Sequence, residues 1–157
     1  MTLPVVAPET FLHPVELGWP VITVPGRVGL ATVSGFCGVE VAGALATRVL
    51  DRLRATESDG PVVGIPGPPP HRVFIAEADV VADPAEFARY GGRLLHAPHR
   101  ITLPPSGLPY GPAVWLVPPR PARRWLPSLS TILWALRAAE PRGTERAVPP
   151  CRLGCAF

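Results

Sequence analysis

The chain has no lysine: all 15 of its basic residues are arginine. It has one methionine, three cysteines and few aromatic residues, 7% in all. No apolar run approaches the length of a membrane span, so no contact with a membrane is expected. Three cysteines is an odd, low count that does not make a disulfide framework. Cys151 and Cys155 sit in a Pro/Gly/Arg tail with no histidine beside them, too few ligands for a metal, and read as thiols of a frayed tail. Residues 1–8 lack a basic segment and a long apolar core, so no secretory leader is expected. Together these shortages point to the cytoplasm of a bacterium.

What the chain has in excess is proline, 23 residues, alongside 15 glycines. Proline works against long helices and long central strands, so short elements on stiff loops are expected. Hydrophobic residues make up 47% of the 157, enough for one globular domain with its own core. A net charge of +3 and a pI near 9.1 permit nucleic-acid contact without requiring it. The all-arginine usage reads as a GC-rich coding bias. The densest basic cluster, Arg120, Arg123 and Arg124, lies among prolines and Trp125. The planar guanidinium suits phosphate, but the segment reads first as a solvated, proline-stiffened linker.

Periodicity divides the rest. Residues 21–24, 28–32, 39–41, 61–65, 72–76, 93–96, 100–103 and 113–117 read as short strands. Leu45, Val49 and Leu53 recur at helical spacing and predict a helix over 43–55. Asp83 is an N-cap for a short helix to Tyr90, with Pro84 in its first turn. Ile132, Leu133 and Leu136 predict a last helix over 129–138. Strands and helices do not alternate strictly, so the fold class is α+β: a small mixed or antiparallel sheet backed by helices. The expected organisation is an N-terminal segment (1–18), a main domain (19–118), an Arg/Pro linker with the last helix (119–140) and a disordered tail (141–157).

Four pieces carry chemistry. Val28–Thr32 and Gly35 precede a strand that holds one carboxylate, Glu40. His71 stands three residues before Phe74 at the start of another strand. Residues 101–106 end in Pro-Pro-Ser, followed by Gly111 and Trp115. In this order they resemble the bifunctional primase/polymerase N-terminal domain of the archaeo-eukaryotic primase superfamily, over roughly residues 15–118. The resemblance implies an RRM-like sheet that joins nucleotides on a DNA template with divalent metal, Mg or Mn. Two carboxylates two apart on one strand, with a later aspartate, hold the metals, and a histidine contacts nucleotide phosphates.

On this sequence Glu40 matches the first carboxylate, Ala42 stands where the second belongs, and His71 matches the histidine. The later aspartate falls near Arg93, and no acid lies between Arg93 and Ser106. His71, Arg72, Arg93 and Ser106 are the candidates for nucleotide or DNA contact. Glu40 is left as a single, weak metal ligand, too little to clamp two ions. Little or no polymerase activity is therefore expected, and Mg or Mn matters only if activity is retained. A protein partner is the alternative: an interaction scaffold on the same fold.

Plainer roles compete at each position. Glu40 is equally a strand carboxylate paired with Arg72 or Arg93. His71 also reads as a loop histidine without ligand, and His96 and His99 as surface residues. Phe74 and Trp115 read as core rather than base-stacking platforms. Ser106 lacks the elbow and partners of a nucleophile. A third reading is an intact enzyme that borrows Glu77, Asp79 or Asp83 as its missing ligands.

Overall fold

The computed structural model describes residues 14–33, 35–119 and 126–139. A 3-10 turn at Pro14–Leu17 leads into strand β1, Val21–Val24, and strand β2, Arg27–Ala31. Pro25 and Gly26 form the turn between them, and Gly26 takes φ +74°, a left-handed value that side chains disfavour. Strand β3, Phe36–Ala42, then runs directly into helix α1, Gly43–Ala55. Strands β4, Val62–Ile65, and β5, His71–Glu77, form an antiparallel pair across the proline loop. Helix α2, Pro84–Arg89, starts on Asp83, whose Oδ1 accepts the Ala85 N–H at 2.9 Å.

Four short strands follow α2. They are β6, Gly92–Leu95, β7, Arg100–Leu103, and the two-residue β8, Gly107–Leu108, and β9, Gly111–Pro112. Strand β10, Val114–Val117, and helix α3, Leu129–Ala139, complete the described residues. Ser128 caps α3 by accepting the Thr131 N–H at 3.1 Å. At its other end the Ala139 carbonyl accepts from Arg48 Nε of α1 at 3.1 Å.

All named strand pairs are antiparallel. They form a five-stranded sheet in the order β10-β4-β5-β3-β6, a three-stranded sheet β1-β2-β7, and the small β8-β9 pair. Side chains alternate across a strand, and the larger sheet is apolar on both sides. Val39, Val41, Phe74 and Ala76 face the helices and pack with Val49, Leu53, Ile132 and Leu136. Val63, Val73, Ile75 and Leu95 face the other way, onto Leu30, Ile101 and Leu103 of the second sheet. The layers are therefore helices, five strands, three strands. Gly38 permits the close approach of the two sheets: a Cβ there would lie 2.8 Å from Ile101 Cδ1.

The α+β class with antiparallel strands agrees with the sequence reading, and α1 keeps the predicted bounds. The expectation of one sheet backed by helices needs a correction. The apolar sides of β2 and β7 require a partner, and they find it on the sheet face that the helices leave free. Among the described residues no helix is long and apolar enough to cross a membrane. The Arg120, Arg123 and Arg124 cluster, the 141–157 tail and its two cysteines lie outside the described residues.

Candidate functional site

Alternation decides which candidates can meet. On β3, Cys37, Val39 and Val41 face the helices, so Glu40 and Ala42 face the second sheet. On β5, Phe74 and Ala76 face the helices, so His71 shares the side of Val73 and Ile75. Glu40 and His71 are thus on one face. Ala42 is the direct register partner of His71, and Glu40 that of Val73. Glu40 and His71 form a diagonal pair, with Cα atoms roughly 7–8 Å apart by sheet geometry.

Glu40 has a cation beside it. Arg93 is its register partner on β6, and its Nη1 lies 4.0 Å from Glu40 Oε1. The side chains are 26% exposed for Glu40 and 64% for Arg93, so water screens the pair. Of the two arginines expected as partners, Arg93 takes the role. Arg72 cannot, because it leaves β5 on the opposite face.

The residues on this face do not fit a two-metal centre. Such a centre needs carboxylates converging on both ions, and Ala42 supplies none. Among the described residues no three of His, Cys, Asp and Glu gather as a metal requires. The acids that might have returned to Glu40 are engaged or distant. Asp79 accepts from Ser130, at 3.1 Å from the backbone N–H and 2.7 Å from the hydroxyl. Asp83 caps α2. Glu77 is paired with Phe36, four residues along β3 from Glu40 and so roughly 13 Å away.

The opposite face holds a cavity of about 580 Å³. The first turn of α1 forms one wall, with Gly43, Ala44 and Thr47. Arg72 and Gly64, register partners on β5 and β4, lie on the strand side. Val114 and Leu116 of edge strand β10 bound the far side, and Leu116 is the extra residue of a bulge. Tyr110 and Pro66 close one end, and His71 borders the cavity from the start of β5.

No protein-family model, curated protein or solved structure matches this chain.

Ser106 changes role. It is 1% exposed, and its hydroxyl accepts the Val28 N–H at 2.8 Å and lies 2.6 Å from the Leu103 carbonyl. From this buried position it pins β2 to the end of β7. His96 and His99 are exposed, with rings 6.3 Å apart. Phe74 is buried in the helix-side core, and Trp115 packs partly buried against the other. Cys37 is buried and its thiol donates to the Ala76 carbonyl; burial, then the charges of Asp79 and Glu77, push the thiol up to about 11. Sequence reasoning missed the cavity. One signal was available, since Arg72 alternates with Phe74 and Ala76 and so belongs to their side of β5.

Proposed function

We propose that this chain is a binding domain on a primase/polymerase-like scaffold and that it does not carry out nucleotidyl transfer. The scaffold reading draws support from the run β3-α1-β4-β5-α2-β6, whose four strands lie in the order β4-β5-β3-β6. That succession is the split β-α-β arrangement to which RRM-like sheets belong. It draws further support from Glu40 and His71 lying on one face, with the second-carboxylate position directly across from the histidine.

The observation that carries the loss of catalysis is the surroundings of Glu40. Ala42 offers no ligand, and Arg93 at 4.0 Å puts positive charge where cations would have to sit. This chemistry depends on positioned charge, so its removal takes most of the rate. What remains is binding: His71 at the sheet end for a nucleotide phosphate, with Arg93 on the far side of β3.

A second reading, a protein-interaction scaffold, is favoured by one specific feature. The face on which an RRM-like sheet would stack bases is covered by β2 and β7, with Leu30, Ile101 and Leu103 packed onto it. Two measurements decide. Primer extension on a DNA template with Mg²⁺ or Mn²⁺ is expected to give no product. Extension that disappears in Glu40→Gln would overturn the proposal. Titration with a nucleoside triphosphate separates the two binding readings. Saturable binding weakened by His71→Ala supports the nucleotide site, and silence leaves the scaffold.

A further inference from the structure

We propose that the cavity between α1 and β10 binds a small organic carboxylate with an apolar body. The site lies across the sheet from Glu40, and His71, at the start of β5, borders it.

The argument begins with Arg72. It sits on β5, the central strand of the five, and points to the helix side, where its register partners are Val41 and Gly64. It is half-buried, yet among the described residues no carboxylate pairs with it. Arginine is rarely enclosed without a partner. A lone guanidinium facing an open cavity is a ready receptor for an anion, and its planar fork matches a carboxylate bidentately.

The rest of the lining sets the remainder of the ligand. Ile65, Pro66, Val114 and Leu116 are apolar, and Tyr110 adds a ring with a hydroxyl. Val114 and Leu116 are 47% and 40% exposed, so apolar surface is left uncovered beside the arginine. Gly64 keeps the strand side shallow, because it adds no side chain between Arg72 and Val114. A volume near 580 Å³ is within the range of small-molecule sites. Among the described residues one arginine lines this apolar recess, with His71 at its border, which suits a single negative charge on an apolar body. A polyphosphate would need several cations. The wall formed by α1 adds to the same preference. Ala42 at its N-cap has no side-chain bond to give, and Ala44 of the first turn lines the cavity.

The test is calorimetric titration of the full chain with octanoate, octan-1-ol and inorganic phosphate, each separately. Octanoate is expected to bind saturably, with octan-1-ol and phosphate far weaker. Arg72→Gln is expected to weaken octanoate by about 10- to 100-fold. Thr47→Trp, at an exposed position of the cavity wall, is expected to abolish binding by filling the space. Arg100→Gln makes the same charge change on the second sheet and should leave affinity unchanged. Circular dichroism shows that each variant is folded. Equal binding of octan-1-ol with a silent Arg72→Gln reduces the site to an apolar groove and overturns the proposal. So does phosphate binding as tight as octanoate, or octanoate binding that survives Thr47→Trp.

Discussion

On one face of the five-stranded sheet Glu40 meets Arg93, and on the other Arg72 meets no acid among the described residues. Both charges stand on central strands, where a side chain is normally apolar. The first is accommodated by a counter-ion on the neighbouring strand and by partial exposure to water. The second is accommodated by a cavity that α1 and β10 leave open. The covers differ as well, helices on one side and strands on the other. Arg72 sits between α1 and the bulged edge strand.

The strongest check of two separate faces uses adjacent residues of β5. Phe74→Ala empties the helix-side core and is expected to destabilise by about 3–5 kcal/mol; Ile75→Ala empties the strand-side core at about 2–5 kcal/mol. The two belong to different clusters, so their coupling in urea unfolding of the double variant should be smaller than that of two residues packed in one cluster. A large coupling would mean that the layers act as one. Next in size is Ser106→Ala, which leaves the half-buried Val28 N–H without its acceptor. It is expected to destabilise by about 1–3 kcal/mol. Hydrogen exchange should rise in β2 and β7 and stay unchanged in α1. Equal loosening of both layers would contradict the division.

Much of this division is visible in the residues themselves, and some is not. Leu45, Val49 and Leu53 define α1, Asp83 and Pro84 start α2, and Pro25 and Gly26 turn the first hairpin, because local geometry fixes each. Alternation on β5 already separates His71 from Arg72, a distinction that grouping them by charge conceals. Strand order is another matter. Nothing local to Glu40 states that its neighbours are β5 and β6, so pairing with Arg93 was one option among others until the register was known. The cavity depends on still more distant coincidences: a glycine at 64, a bulge at Leu116 and the start of α1 brought side by side. Ser106 illustrates the same limit. Its hydroxyl is a buried pin only because β2 arrives beside it.

A substitution at Ala42 probes both faces together. The residue has extended geometry, φ −97° and ψ 151°, as an N-cap requires, but no side chain to cap with. Ala42→Asp is expected to stabilise by about 0.5–2 kcal/mol by accepting a first-turn N–H and facing the helix dipole. It also adds a negative charge near the cavity wall, so octanoate affinity should fall. Higher octanoate affinity in this variant would show that the start of α1 plays no part in holding the anion.

The helix layer also carries a pH dependence of its own. Slight burial draws the Asp79 carboxyl upward, but the Ser130 hydroxyl and N–H outweigh it and hold the group below its ordinary 3.8. A lowered folded value means that the carboxylate adds stability above about pH 4, and that this is lost as the pH falls through the folded value. Asp79→Asn should flatten that part of the acid-unfolding curve monitored by α3 and leave the alkaline side unchanged. An acid limb identical to that of the parent would remove Asp79 from the account.

The smallest expected effect belongs to Glu40 and Arg93, and its smallness is the informative part. A pair at 4.0 Å with Arg93 64% exposed lies in the class of surface ion pairs. Its coupling in a double-mutant cycle of Glu40→Gln and Arg93→Gln should be below about 1 kcal/mol and should shrink as salt is added. If so, the carboxylate is not required for folding, and its place on the strand has another explanation, such as the binding role proposed for that face. A coupling of about 2 kcal/mol or more, insensitive to salt, would point the other way. Glu40 would then be a structural carboxylate held by its arginine, and the nucleotide reading of this face would lose its anchor.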